Sequence, residues 1–363
     1  MTGGSGGPPL RVAITGASGY LGTGLAQRCR SAGAEVLGLD VRRPGRDWPA
    51  GAAFARQDVA DPGLGARLEA FRPHLLVHLA WVFDPIHDRE REARIDVEGT
   101  RNAFEAAAAA GARRIVYPSS TTSYGIDPAR TTPYTEQDPP RPNPRYPYGR
   151  FKAEVEQWLP EFRAAHPEVE LVVARACIVL GRRARNIVTH ITEWPLMFRI
   201  AGYDPPLQFL HERDAADLLW WMMTEAPPGV FNAAGSGVLL YKEVCRLAGK
   251  PCLALPAALL YPLVAIGWRL RLLRFPPGLL DYIRYSWVAD TARLTEELGF
   301  RPRHSSREAL ADYLEASQGA GRAGGAAAGG PGASGAGRGG AGGLAARDAD
   351  AGGAGPRPNG SEM

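Results

Sequence analysis

The stretch that decides the fold is LRVAITGASGYLG, residues 10–22, where an apolar run meets a G-x-x-G-x-x-G turn formed by Gly16, Gly19 and Gly22. The apolar run predicts a buried strand, and the periodic pattern after the turn predicts a helix. A helix N-terminus behind a glycine turn suits a pyrophosphate, because glycine lets the backbone approach the phosphates and the free N–H groups favour negative charge. The stretch therefore predicts the first unit of a dinucleotide-binding sheet.

The next predicted strand, Glu35–Asp40, ends in an acid about twenty residues after the turn. A carboxylate at this position accepts hydrogen bonds from the adenosine ribose hydroxyls and repels a phosphate on that ribose. Asp40 therefore favours NAD over NADP as the cofactor.

Further units continue the alternation of strands and helices. We predict strands near Phe54, over Leu75–Ala80 and over Arg113–Tyr117, and helices over Pro62–Phe71 and Ile95–Ala110. Such alternation implies an α/β fold, a doubly wound parallel-sheet Rossmann fold whose ligands lie at the carboxyl ends of the strands.

The chemistry is predicted around Tyr148 and Lys152, which share one face of a predicted helix because they are four residues apart. An ammonium beside a phenol favours its ionised form, which makes Tyr148 a candidate acid and base. Lysine occurs only three times among the 42 basic residues, so its use here favours a role that arginine does not fill. The alternative is an ordinary amphipathic helix with Lys152 at the surface.

A hydroxyl-rich loop, residues 118–125, follows the strand that precedes this helix. It lies at the carboxyl edge of the predicted sheet, where its hydroxyls can hydrogen-bond a substrate oxygen. We select Ser120 for this role, and the alternative is a loop that satisfies its own backbone.

Composition limits the classes of partner. The net charge of +4, without a basic run interleaved with aromatic residues, argues against nucleic acid. The four cysteines form no C-x-x-C pair and no metal-like cluster, so we expect no metal and a reducing, cytoplasmic location. Residues 1–9 show no secretory signal pattern. The expected partner is a small-molecule substrate, and a homodimer is left open.

Taken in order, these motifs resemble the extended short-chain dehydrogenase/reductase family, the NAD-dependent epimerase/dehydratase group. The resemblance covers roughly residues 10–316 and depends on the order of the motifs rather than on any one of them. It implies NAD as the cofactor and catalytic roles for Ser120, Tyr148 and Lys152. The residues that it assigns to cofactor binding are Gly16, Ser18, Gly19, Tyr20, Leu21, Gly22, Asp40, Asp58, Val59, Leu79, Ala80, Tyr148 and Lys152.

The family mechanism implies that Tyr148 removes a hydroxyl proton while hydride passes to NAD, with Ser120 holding the same oxygen. Lys152 is implied to lower the pKa of Tyr148, together with the nicotinamide charge, and to bind the nicotinamide ribose. Asp96 stands where the family usually has asparagine, a departure without a predicted effect.

Two further departures narrow the reaction. Dehydratases of the family carry an Asp-Glu pair where this chain has Thr121 and Thr122, which argues against dehydration. Ile178 stands where typical nucleotide-sugar epimerases place an asparagine near the diphosphate. Arg182, Arg183, Arg185 and Arg213 are then candidates to supply charge, and Arg182 and Arg213 form the predicted substrate-binding set with the two threonines.

Three functions are open at this point. The first is an NAD-dependent oxidoreductase or epimerase acting on a hydroxyl carbon, foremost of a nucleotide sugar. The second is a hydroxysteroid-type dehydrogenase or reductase of a lipophilic alcohol, favoured by Ile178 and by the apolar stretch 253–268. The third is a non-catalytic NAD-binding regulatory protein, which the presence of Tyr148 and Lys152 disfavours.

We place the expected domain boundaries where the regular alternation of strands and helices ends. We expect a disordered N-terminus (1–9), an NAD-binding Rossmann domain (10–185, with 207–235 returning to it), a smaller C-terminal substrate-binding lobe (186–206 and 236–317) and a disordered Gly/Ala/Arg-rich tail (318–363). The apolar stretch Leu253–Trp268 is too short and too interrupted by proline to span a membrane. Burial against the substrate lobe is the preferred interpretation, and weak membrane-surface contact through 253–274 is the alternative.

Overall fold

A computed structural model of the chain describes residues 8–184, 189, 192 and 194–326. Its strands are β1 (Arg11–Thr15), β2 (Glu35–Asp40), β3 (Ala53–Arg56), β4 (Leu75–His78), β5 (Arg114–Ser120), β6 (Glu170–Ala176), β7 (Ile178–Leu180), β8 (Met197–Ile200), β9 (Pro206–Leu207), β10 (Phe209–His211), β11 (Gly229–Ala233), β12 (Leu239–Leu240) and β13 (Cys252–Leu255). Its α-helices are α1 (Tyr20–Ser31), α2 (Leu64–Phe71), α3 (Arg89–Ala93), α4 (Gly99–Ala109), α5 (Pro147–Ala165), α6 (Glu212–Thr224), α7 (Tyr241–Leu247), α8 (Ala257–Arg269) and α9 (Ser306–Ala326). Short π-helices cover Arg94–Glu98 and Arg293–Glu297, and short 3-10 helices cover Thr121–Tyr124 and Pro277–Ile283.

Seven strands form one parallel sheet in the order β3-β2-β1-β4-β5-β6-β11. The chain builds from β1 outward to β3 on one side and then crosses to β4 on the other, which creates a switch point between β1 and β4. The last residues of these two strands, Thr15 and His78, are register partners there. The predicted doubly wound Rossmann sheet is confirmed, and ligands of such sheets bind outside the carboxyl ends at the switch point.

Both faces of the sheet are covered, as the apolar run of β1 predicts. Val12 and Ile14 pack with Leu25 of α1, whereas Ala13 packs on the opposite face with Phe104 of α4. Successive residues of a strand point to opposite faces, so a strand buried on both sides needs apolar residues at consecutive positions.

The region of the predicted helix 95–110 begins differently from the prediction. Residues Arg94–Glu98 form a π-helix, and the α-helix α4 starts only at Gly99. The wide turn places Asp96 fully inside the protein, where its Oδ1 accepts a hydrogen bond from the backbone N–H of Val82 at 2.8 Å. Single π-helical turns of this kind occur frequently at functional sites.

The structure corrects the preferred interpretation of the stretch 253–268. Of helix α8 only Leu260 and Val264 are buried, on the side that packs against the 3-10 segment Pro277–Ile283. The large apolar side chains that are at least half exposed are Leu259, Leu263 and Ile266. Burial against the lobe is therefore right for one face of the helix and wrong for the other. Among the described residues, no helix combines the length and the hydrophobicity that crossing a bilayer requires.

The contacts group the chain into one unit, Met1–Gly321, and a second unit, Arg322–Met363. Helix α9 runs to Ala326, past residue 318, where we expect the tail to begin. Residues 1–7 and 327–363, which contain most of the two predicted disordered ends, lie outside the described residues.

Candidate active site

A cavity of about 840 Å³ lies at the carboxyl ends of the central strands. This volume falls within the range of about 300–1,000 Å³ that is typical of small-molecule sites. Every residue predicted for cofactor binding lines the cavity, and so do the three predicted catalytic residues, Ser120, Tyr148 and Lys152. The fold therefore brings together side chains that are more than a hundred residues apart in the sequence.

The glycine turn forms one end of the cavity. Gly16 has φ +66°, and a Cβ there would lie 2.6 Å from backbone atoms of Leu79 and Ala80. A Cβ on Gly19 would meet only the carbonyl oxygen of Gly16, at 3.3 Å. Helix α1 starts directly after Gly19, without a side-chain cap and without an acid in its first turn. Its N-terminal N–H groups are thus not neutralised by the protein's own carboxylates, and the turn fits a pyrophosphate.

Two acids line the adenosine end of the cavity. Asp40 is nearly buried and accepts the backbone N–H of Ser18 at 3.0 Å and that of Arg42 at 2.9 Å. Asp58 accepts the backbone N–H of Ala60 at 2.9 Å. These bonds fix the orientation of both carboxylates, and each carboxylate oxygen keeps a lone pair for a hydroxyl or amino group of a ligand.

Tyr148 is the second residue of α5, directly after Pro147 at the first helical position, where proline suits the helical turn. Burial raises the pKa of Tyr148, and a hydrogen bond with the side chain of Ser120 opposes this shift. Ser120 ends β5, and its Oγ accepts the backbone N–H of Thr122 at 3.2 Å. Loss of hydration of the phenol dominates this shift, and the lowering expected from Lys152 together with the nicotinamide charge stays a prediction.

Lys152 lies one helical turn after Tyr148 and is almost fully buried. Its Nζ donates a hydrogen bond to the carbonyl oxygen of Pro118 at 2.9 Å and lies 3.5 Å from the ring centroid of Trp81. The centroid of the Tyr148 ring is farther away, at 6.0 Å. Burial lowers the pKa of Lys152, and the carboxylates of Asp96 and Glu156 oppose that shift. The ammonium is thus held beside the phenol by an aromatic face and a backbone carbonyl.

Asp96 completes this part of the site. Burial raises its pKa, against the effects of the Val82 N–H group and of Lys152, and its Oδ2 has no hydrogen-bond partner among the described residues. A protonated carboxyl offers one acceptor and one donor, as an asparagine amide does. Protonation therefore lets Asp96 match the hydrogen-bonding pattern of the asparagine that the resembled family has here.

The structure separates the predicted substrate-binding residues. Thr122 lines the cavity, whereas Thr121 is fully buried outside its described lining. Arg182 and Arg213 also lie outside that lining: the Nε of Arg182 donates to Asp312 at 2.8 Å, and Arg213 is exposed. Arg183, the neighbour of Arg182 and also a candidate source of charge, does line the cavity, and Arg185 lies outside the described residues.

The remaining wall of the cavity is mostly apolar and aromatic. The residues concerned are Trp81, Val82, Phe83, Tyr146, Ile178, Met197, Leu207, Leu279, Tyr282, Ile283 and Trp287. The sequence pattern did not identify Trp81, although it directly follows the predicted cofactor residues Leu79 and Ala80. Its position after the end of β4 is the signal that points to it.

Comparison with known proteins identifies the family of the chain. The model of the NAD dependent epimerase/dehydratase family matches residues 12–234. An uncharacterized protein of Mycobacterium tuberculosis is 29% identical over 313 residues, which cover 85% of this chain and 30% of the relative. The chain thus spans less than a third of the length of that relative.

Two further relatives are characterised. The UDP-glucose 4-epimerase of Mycolicibacterium smegmatis is 34% identical over 165 residues, covering 42% of this chain and 51% of the relative. The crystal structure of the Thermus thermophilus UDP-glucose 4-epimerase in complex with NAD has a TM-score of 0.68 at 22% identity, covering 86% of this chain and 100% of that chain. The structural likeness supports the fold, and the family match extends over more than half of the sequence. The chain belongs to the NAD-dependent epimerase/dehydratase family, within the extended short-chain dehydrogenases/reductases.

Proposed function

We propose that the chain binds NAD in this cavity and catalyses oxidation and reduction at a hydroxyl-bearing carbon, with a nucleotide sugar as the first candidate substrate. The observation that carries the proposal is that Ser120, Tyr148 and Lys152 line the same cavity as the glycine turn. The NAD dependence of the family and the NAD bound to the Thermus thermophilus epimerase support the choice of cofactor.

In the proposed mechanism, bound NAD supplies the hydride acceptor and donor. The Tyr148 hydroxyl exchanges a proton with the substrate oxygen, and the Ser120 hydroxyl holds the same oxygen. Oxidation of the substrate hydroxyl needs the ionised form of Tyr148 as the proton acceptor, and the return step needs the phenol as the proton donor to the carbonyl oxygen. Burial raises the pKa of Tyr148 and so opposes the ionised form, which the nearby charge of Lys152 favours. Lys152, held by Pro118 and Trp81, supplies positive charge beside the phenol when that proton leaves.

Two observations support a nucleotide sugar. The relative from Mycolicibacterium smegmatis that is 34% identical over 165 residues is a UDP-glucose 4-epimerase. Arg183 lines the cavity with 68% of its side chain exposed, and a guanidinium suits the diphosphate of such a substrate.

A lipophilic alcohol is the second candidate substrate. The cavity wall around Trp81, Phe83 and Ile283 is mostly apolar, and Ile178 lines it where typical nucleotide-sugar epimerases carry an asparagine. Apolar walls with few polar groups favour a ligand with a large hydrocarbon surface.

A substrate panel separates these candidates. We expect that purified protein with NAD converts one of UDP-glucose, UDP-galactose or UDP-glucuronate into its epimer without net NADH, measured by chromatography and absorbance. Net formation of NADH from a sterol-like secondary alcohol, without conversion of any of the UDP-sugars, would select the second candidate. Protein that binds NAD but converts neither class would select the regulatory hypothesis. Failure to bind NAD at all would contradict the whole proposal.

We also expect Gly22→Ala to weaken NAD binding severely and to lower the free energy of unfolding. A Cβ at this position would lie 2.6 Å from the carbonyl oxygen of Gly16 and 2.8 Å from the Cα of Ala17. Relieving these contacts requires displacement of the glycine turn, and overpacking of this kind costs about 1–3 kcal/mol. Calorimetric titration with NAD and thermal unfolding measure the two effects.

Gly24→Ala is the matched control, because Gly24 is in the same helix and a Cβ there meets nothing within 4 Å. It is expected to bind NAD normally and to stabilise the protein by about 0.5–1 kcal/mol. Equal NAD affinity in the two variants would show that the turn does not hold the cofactor.

A further inference from the structure

One helix exposes a row of large apolar side chains that the proposed reaction does not use. We call this row the α8 face and define it as Leu259, Leu263, Ile266, Leu270 and Leu272, which are 50%, 53%, 59%, 62% and 76% exposed. Leu259, Leu263 and Ile266 follow at intervals of four and three residues, so they lie along one side of α8, and Leu270 and Leu272 follow after the helix ends at Arg269. Exposed apolar residues are ordinary when scattered, but a continuous row marks a binding surface.

The chain segment that carries the α8 face is basic. No acidic residue occurs from Val244 to Leu280, a segment that contains Arg246, Lys250, Arg269, Arg271 and Arg274. The three arginines at and after the end of α8 are exposed. A segment that pairs exposed apolar side chains with arginines and carries no acid of its own is complementary to a partner that is both apolar and negatively charged.

We propose that the α8 face binds the surface of an anionic lipid bilayer, with the helix lying along the interface. The apolar row then inserts among the acyl chains while Arg269, Arg271 and Arg274 contact the lipid phosphates. The opposite side of α8 is fixed to the protein by Leu260 and Val264, so the helix binds as a rigid part of the fold.

The α8 face lies beside the wall of the cavity. The 3-10 segment Pro277–Ile283, on which α8 packs, contributes Leu279 and Ile283 to the cavity lining. Trp268 of α8 stacks on His87 with ring centroids 3.8 Å apart, and His87 is four residues after the cavity residue Phe83. Binding through α8 therefore places the cavity near the membrane surface. The proposal does not depend on which substrate the enzyme uses.

Vesicle co-sedimentation of the full chain tests the proposal. We expect binding to vesicles of phosphatidylcholine mixed with phosphatidylglycerol, much weaker binding to pure phosphatidylcholine, and a decrease with rising salt concentration. Leu263→Asp/Ile266→Asp is expected to reduce the affinity at least ten-fold. The matched control is Val238→Asp/Leu240→Asp, at positions 49% and 47% exposed outside the face, which is expected to bind like the unmodified protein.

A second pair of variants tests the charges and does not alter packing. Arg269→Glu/Arg274→Glu should abolish the preference for the anionic vesicles. The matched control is Arg43→Glu/Arg46→Glu, at two exposed positions near β2, and it should keep that preference. Absence of vesicle binding, or equal losses in test and control variants, would overturn the proposal. Light scattering would also overturn the proposal if the unmodified protein were a dimer and Leu263→Asp/Ile266→Asp a monomer. The α8 face would then bind a second copy of the chain.

Discussion

Tyr148→Phe is expected to slow turnover by about 10²–10⁴-fold while the affinity for NAD stays unchanged. The substitution removes only the hydroxyl, so the ring keeps its contacts with Trp81 and Phe83 at centroid distances of 6.1 and 6.2 Å. The proton that the phenol exchanges with the substrate oxygen then has no donor. Steady-state rates with the substrate identified by the panel, and NAD titrations on the same samples, measure the two quantities.

Tyr285→Phe is the control for this variant, because Tyr285 lies outside the described lining of the cavity. It is expected to keep full activity. Undiminished turnover by Tyr148→Phe would remove the tyrosine from the mechanism, whatever the substrate.

Lys152→Met should have a second large effect, of about 10²-fold or more on turnover, and it should also weaken NAD binding. Methionine fills a similar volume without the charge that lies against Trp81 and is hydrogen-bonded to Pro118. In the proposed site the ammonium stabilises the ionised phenol of Tyr148 and binds the nicotinamide ribose, so the variant loses both contributions. Rates and NAD affinity therefore fall together, in contrast to Tyr148→Phe, in which only the rate falls.

Lys242→Met provides the same substitution at a distant site. Lys242 is exposed and lies 3.6 Å from Asp204, and it does not line the described cavity. We expect unchanged rates and NAD affinity in this control. A Lys152→Met enzyme with normal rate and affinity would show that the buried ammonium is structural only.

The sequence was sufficient to predict that the proposed cofactor-binding residues lie together in one cavity, because its signals there are local. The turn around Gly16 and the acid at Asp40 each follow a strand directly, and a parallel sheet brings such strand ends to one edge. Tyr148 and Lys152 are on one helix, where a spacing of four residues fixes their relative position.

The substrate half was harder to predict because it depends on tertiary contacts. The sequence offers Arg182 and Arg183 equally as sources of charge, and only tertiary contacts separate them. Arg182 pairs with Asp312, which is 130 residues away in the sequence, whereas Arg183, with its Nε 3.9 Å from a carboxylate oxygen of Glu212, lines the cavity. The effect of burial on the pKa of Tyr148 could not be predicted for a similar reason. The spacing of Tyr148 and Lys152 shows a nearby charge, but the extent to which the phenol loses its hydration depends on the packing around it.

Helix α8 shows the same limit. Its composition indicates an apolar element, and a membrane-surface contact was one of the alternatives. Which residues face the protein was decided by the segment Pro277–Ile283, which covers Leu260 and Val264 and leaves Leu263 exposed. A hydrophobic stretch by itself does not say which of its faces finds a partner.

The central claim is that a phenol, an ammonium and a serine hydroxyl converge beside a bound dinucleotide. A crystal structure of Tyr148→Phe with NAD tests this most directly. We predict the pyrophosphate on the turn formed by Gly16, Gly19 and Gly22, and the nicotinamide ring beside Phe at position 148, Lys152 and Ser120. A dinucleotide bound elsewhere, or a nicotinamide ring remote from these three side chains, would contradict the account.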